Sequence, residues 1–189
     1  MKRDYRTGDL LSVKRKHLVT GLGIAFASGL KGFWRYITGQ FIATHSATLY
    51  WGLNGVMMID EATHPKAQQL PLIPYLKRLR REGSKYRIRK VGQMINPEIL
   101  KARIKEHKDK EYPPIVEVAA SSVDLKPYDI KTEMCSERFL LNSIPAGANW
   151  LAGWDPENTT PDELDKLAKR AARKYRKKRK LDKIIKRVK

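Results

Sequence analysis

The chain has 189 residues, of which 41% are hydrophobic, and a formal net charge of +19. That is enough apolar material for one domain with its own core and excludes a disordered chain. A single cysteine excludes an internal disulfide and any multi-cysteine zinc site, and the charge implies attraction to polyanions: nucleic acid, anionic lipid or an acidic partner.

The first residues, "MKRDYRTGDLL", have basic side chains but no apolar run before Gly8 and Asp9, so they do not read as a secretory signal. "TGDLLSV" predicts a short strand entered from a turn at Gly8. A helix is expected from about Leu18 to Ile37, weakened by Gly21, Gly23, Gly29 and Gly32. Its uncharged stretch, Leu18 to Leu30, falls short of the roughly 20 residues that a membrane span needs.

"HSATLYW" and "GVMMIDEA" predict two strands joined at Asn54 and Gly55, since Asn-Gly is the strongest short hairpin signal. "PLIPYLKRLRREG" predicts a basic helix ended by Gly83, and "YRIRKV" a strand with Tyr86, Ile88 and Val91 close to alternation. "NPEILKARIKEHKDK" has Asn96 as cap, Pro97 at the first helical position and a stripe of Ile99, Leu100 and Ile104. After Pro113 and Pro114, a helix is expected to begin near Met134 and to carry Phe139, Leu140, Leu141 and Ile144.

The last predicted element is a long helix from "TPDEL", with Thr160 and Glu163 as a capping box. Leu164, Ala168, Ala171, Tyr175, Leu181, Ile185 and Val188 form its narrow apolar stripe. From Pro161 to Lys189 there are 14 Lys and Arg against 4 Asp and Glu, a net of +10, so more than half of the excess charge lies there. The division expected is a body over 1–160 and a basic C-terminal helix or tail over 161–189.

Cys135 lies at the predicted start of a helix, where unpaired backbone N–H groups and the helix dipole favour a thiolate. Free cysteine is also among the most buried residue types, so a packing role and a nucleophile role both stand. A nucleophile needs a histidine to take its proton and a polar group to orient that histidine. His107 sits in a charged helix and His17 in "KRKH", both expected in solvent, and His64 precedes Pro65 in an expected loop. His45 opens an apolar strand, where a polar ring costs free energy without a partner. Glu61 ends the neighbouring strand of the same hairpin, close enough for an antiparallel pair to bring the two together.

In this order, "TGDLLSV", "ITGQFIATHSATLYWG", "VMMIDEA", "PLIPYL", "PYDIKTEMCSERFL" and "TPDEL" resemble the motifs of the circularly permuted papain-like amidases, within them the YiiX-like branch of the NlpC superfamily. The resemblance spans about Thr7 to Leu164. It implies an α+β fold, an antiparallel sheet with helices packed on it, with the order of papain's catalytic residues reversed. It implies Cys135 as nucleophile, His45 as base and Glu61 as the residue orienting it, with Asp60 turned to the other face of its strand. It implies a cysteine amidase or peptidase, with acyltransferase and thioesterase activities as variants, acting through an acyl-enzyme without a cofactor or metal. The substrates implied carry an amide or ester, in peptidoglycan peptides or acyl lipids.

The glycine-rich segment before His45 and the basic tail depart from that pattern. The tail from Lys166 to Lys189 leaves open a different class of function, a basic structural or nucleic-acid-associated protein, such as a component of a phage particle, in which the triad is idle. It equally suits contact with an anionic membrane. The expected location is cytoplasmic, in a virion, or peripheral to a membrane.

Overall fold

The computed structural model describes residues 4–15, 34–35, 38–63, 66–111 and 135–188. Among these, five strands form one antiparallel sheet: β1 (Leu10–Lys14), β2 (His45–Trp51), β3 (Met57–Glu61), β4 (Gln68–Pro71) and β5 (Lys85–Arg89), in the order β4-β3-β2-β1-β5. Four α-helices pack on it: α1 (Leu72–Arg81), α2 (Pro97–Glu106), α3 (Cys135–Ser143) and α4 (Pro161–Val188). The class is α+β, as expected. Nearly all of the helix expected over Leu18 to Ile37 lies outside the described residues, as do His17 and His64.

Strand alternation divides the core in two. Leu10 faces α2, α3 and α4 and packs with Leu100, Ile104, Phe139, Leu140, Leu164 and Ala168. Leu11, Val13, Ala47, Leu49 and Ile59 face α1 and pack with Leu72, Tyr75, Leu76 and Leu79. Each fully buried leucine contributes roughly 1.5–3 kcal/mol over its exposed state, so both faces hold the sheet between helical layers.

The hairpin at Asn54 and Gly55 forms, with Gly55 in the left-handed region at φ 64° and the loop closed by Gly52 N–H donating to Val56 O at 2.9 Å. Asn96 caps α2 by accepting from Glu98 N–H at 3.0 Å and Ile99 N–H at 3.3 Å. The Gly-Asp pair of the first motif has a structural use. Asp9 is buried and accepts from the N–H groups of Arg6 and Gly92, each at 3.0 Å. Gly92 has to be glycine, because a Cβ there would collide with the Thr7 carbonyl. Two details differ from expectation. β4 has no alternating pattern and ends in a proline, which an edge strand tolerates. Val91 lies beyond β5, because the chain turns into a short 3₁₀ helix at Gly92–Met94.

α4 carries the capping box, Thr160 N–H donating to Glu163 Oε2 at 2.9 Å and Glu163 N–H to Thr160 Oγ1 at 3.3 Å. The expected break at Pro161 needs correction. The first turns of this helix are part of the core, through buried Leu164, Ala168 and Ala172. Ion pairs fasten the same turns to the body: Asp162 to Arg35 at 2.7 Å and Asp165 to Arg89 at 2.6 Å. The helix passes into solvent after Ala172, so Lys166 does not begin a separate tail.

Candidate active site

Three side chains from three elements meet at one end of the sheet. The pairing of β2 with β3 sets Thr48 opposite Asp60 and Leu49 opposite Ile59. Continuing that register, His45 and Glu61 are diagonal neighbours on one face, within reach of long side chains. His45 Nε2–H donates to Glu61 Oε2 at 2.6 Å, and both residues are buried. This leaves Nδ1 as the ring nitrogen for a second partner.

That partner is Cys135, the first residue of α3. Ser46 follows His45 and turns to the face covered by α3, and its backbone N–H hydrogen-bonds the cysteine sulfur. The imidazole lies beside the same sulfur and hydrogen-bonds to it. Burial opposes a thiolate here, but the charge and hydrogen bond of His45, with the Ser46 backbone N–H, outweigh it and hold the thiol pKa below its ordinary value. Burial likewise opposes an imidazolium, yet Cys135 and Glu61 together push His45 up to about 9. Both shifts favour a thiolate–imidazolium pair, which titrates as a unit.

Glu61 is held from the other side. Tyr75 of α1 donates its hydroxyl to the same Oε2 atom at 2.7 Å, and the guanidinium groups of Arg15 and Arg78 lie at 3.8 and 4.0 Å. Burial raises the carboxyl pKa, but His45, Tyr75 and Arg15 bring it below the usual carboxylate range. Neither Tyr75, Arg15 nor Ser46 was singled out by sequence reasoning. Tyr75 carried a signal, since a tyrosine on the apolar face of a helix seeks a partner for its hydroxyl. Arg15 carried none.

Asp60 faces away from His45, as expected. It forms a buried bidentate pair with Arg138 of α3, Nε to Oδ2 and Nη2 to Oδ1 at 2.8 Å each. Arg138 lies one turn after Cys135, so this pair fixes α3 on the sheet and the thiol beside β2. His107 was expected in solvent, but it is buried at the end of α2. Its carbonyl accepts from Arg138 Nη1 at 2.6 Å, and its Nε2 lies 3.1 Å from Arg103 Nη2. The arginine that anchors α3 also draws the end of α2 inward, and His107 goes with it.

Among the described residues, no three His, Cys, Asp or Glu side chains gather in a way that could hold a metal ion. Nor is any helix among them long and apolar enough to cross a membrane. Comparison with protein-family models, with curated proteins and with solved structures returns no match to this chain.

Proposed function

We propose that the protein is a thiol hydrolase that cleaves an amide or ester through a Cys135 acyl-enzyme. The observation that carries this reading is the buried chain of contacts from Cys135 through His45 to Glu61, with both shifts favouring the ion pair. A cysteine with only a packing role has no need of a protonated imidazole or of a carboxylate behind it.

In this mechanism the thiolate attacks the substrate carbonyl carbon. The oxyanion forms near the start of α3, where the Cys135 backbone N–H has no partner within the helix. Imidazolium then gives its proton to the leaving amine or alcohol, and a thioester remains on Cys135. Neutral His45 next takes a proton from water as its oxygen attacks the thioester carbonyl, the C–S bond breaks to release the acid, and the thiolate–imidazolium pair returns. Glu61 keeps the ring oriented and stabilises its charged form throughout. The chain order of His45, Glu61 and then Cys135, with a helix-borne cysteine against an antiparallel sheet, supports a circularly permuted papain-like fold. Peptidoglycan peptides and acyl lipids are the substrate classes that this fold implies.

Cys135 is the sole cysteine, so thiol labelling by itself discriminates nothing. Its rate does. Alkylation at pH 6 should be fast in the native chain and slow in His45→Ala, and a fluorogenic acyl substrate should release a burst stoichiometric with enzyme. A native thiol that reacts at pH 6 no faster than free cysteine, with no burst, would refute the hydrolase reading.

A second reading rests on a separate observation. Beyond Ala172 the described side chains of α4 are almost all exposed, and "RKYRKKRK" (Arg173 to Lys180) is basic at all but one position. That segment suits docking on a polyanion such as nucleic acid or an anionic membrane, whether or not the triad turns over. Salt-sensitive binding that is lost on removing 173–189 would support it.

A further inference from the structure

A second candidate site lies along β5, the edge strand of the sheet among the described residues. This groove, of about 730 Å³, is lined by Gln40, Phe41, Arg80, Lys85, Tyr86 and Arg87. Its size lies within the range of small-molecule pockets, and it opens broadly to solvent. Three of these six residues are cationic and none is acidic. Among the described residues no ion pair neutralises Arg80, Lys85 or Arg87, whereas the two carboxylates of α4 on that side are already engaged, Asp162 by Arg35 and Lys166 and Asp165 by Arg89.

Two of the cations are held by aromatic rings. Arg87 stacks over Phe41, its guanidinium carbon 4.1 Å from the ring centroid. Arg80 lies over Tyr86 at 5.8 Å and donates to the Tyr86 hydroxyl at 2.9 Å. Stacked guanidinium groups lose little further freedom when they grip an oxyanion. Register adds a cost that the chain tolerates: Lys14 of β1 sits directly opposite Lys85, and like charges in that position destabilise a sheet. Burial, and then repulsion from Lys85 and Arg35, push the Lys14 pKa down, while Lys14 Nζ donates to the Gln40 carbonyl at 2.6 Å. An anion in the groove would relieve this repulsion.

We propose that this groove is a binding site for a small anion bearing phosphoryl groups, of the diphosphate class. Lys85 and Arg87 project from the same face of β5, so an ammonium and a stacked guanidinium can share phosphoryl oxygens with Arg80 at the rim, and a forked guanidinium suits bidentate phosphate contact. The lining offers an acyl chain only the two rings that the arginines already cover. The site is distinct from the triad and from the exposed part of α4. It adjoins the triad only through Ser84, which also lines the smaller cleft behind Glu61.

The test is calorimetric titration of the full-length protein with pyrophosphate at low and at physiological salt. It compares the native chain with Lys85→Gln/Arg87→Gln and with Lys177→Gln/Lys178→Gln, which removes the same charge from exposed α4. The proposal expects saturable binding that the groove pair weakens by about tenfold or more, and that the α4 pair changes by less than about twofold. Equal loss in both variants, or binding that does not saturate, would overturn it, because either means general attraction to a basic surface. Vesicles of phosphatidylglycerol form a second arm. Vesicle binding that pyrophosphate displaces assigns the same groove to a headgroup phosphate, while vesicle binding without any pyrophosphate binding refutes the site. Thermal unfolding without ligand guards against a folding artefact: Lys85→Gln alone removes the repulsion of Lys14 and should hold or raise Tm while weakening pyrophosphate. If it weakens nothing, the groove is not the site.

Discussion

Replacing Glu61 by glutamine removes one charge from the buried end of the triad and little volume. The carboxylate oxygen that accepts from His45 at 2.6 Å also accepts from Tyr75 at 2.7 Å. With the amide oxygen in that place, both donors keep an acceptor and the ring keeps its tautomer, so the expected loss is mainly electrostatic. Charge centres about 4 Å apart at an effective dielectric of about 20 interact by roughly 4 kcal/mol, which corresponds to about 3 pH units on the imidazolium. In the native chain Cys135 and Glu61 push the His45 pKa up to about 9. In Glu61→Gln, burial acts with less opposition, and although the Cys135 thiolate still raises the ring, the imidazolium should lose ground at neutral pH. The assay is the rate of iodoacetamide alkylation from pH 5 to pH 10, with thiolate absorbance in parallel. The native profile should show reactive thiolate well below the ordinary thiol pKa. The variant should gain reactivity only as the pH rises towards that value, and its acylation rate at pH 7 should fall by about 10²–10³-fold. Superimposable profiles would refute the argument, because Glu61 would then be no electrostatic partner of the pair.

Cys135→Ala should abolish turnover and lower stability by only about 1 kcal/mol, since it removes one buried sulfur at the edge of the core; denaturant unfolding with an activity assay checks both. Truncation after Ala172 should leave Tm nearly unchanged, whereas truncation before Lys166 removes buried Ala168 and Ala172 and the Lys166–Asp162 pair and should lower Tm markedly, as read by circular dichroism. Arg138→Met leaves Asp60 buried without its bidentate partner and should cost about 3–5 kcal/mol of unfolding free energy in a urea titration. Stability should also depend on pH at both ends. The raised His45 pKa contributes stability that is complete below about 6.5 and is lost as pH rises through about 9. The lowered Glu61 pKa contributes stability present above about 4.5 and lost as pH falls through its folded value, so Tm measured against pH should fall at both ends, and the acid limb should flatten in Glu61→Gln.

The parts of this architecture that are legible in the sequence are those written in local chemistry. Asn54-Gly55, Asn96-Pro97 and the Thr160/Glu163 pair each encode a turn or a cap within four residues, and each forms as read. His45 and Glu61 were legible as a pair for a similar reason: a hairpin fixes their separation, and a polar ring on an apolar strand needs a partner. What stayed hidden depends on contacts distant along the chain. Arg15 joins Glu61 across 46 residues, and Arg138 reaches His107 and Asp60 from a different element. No spacing rule predicts such meetings, and they explain why His107 is buried despite its charged neighbours. The end of the body was misplaced because net charge changes near Pro161 while packing does not. Alanines at 168 and 172 bury as well as leucines do, but they leave a weaker mark on a hydrophobic stripe.

The continuity of α4 has a mechanical consequence. At 1.5 Å per residue, the stretch from Arg173 to Val188 extends about 24 Å past the last buried turn. It is not a tether. Its base is clamped by Asp162, Asp165, Leu164 and Ala168, so it behaves as a spar with a fixed bearing relative to the sheet. A flexible linker carrying the same cations would let the body tumble freely around any surface that neutralised them. A spar transmits orientation as well as proximity: a counter-surface that lies along Arg173 to Lys180 also sets which way the triad's end of the sheet faces. A flexible insertion such as Gly-Gly-Ser after Ala172 would keep every charge and every core contact and remove that alignment alone.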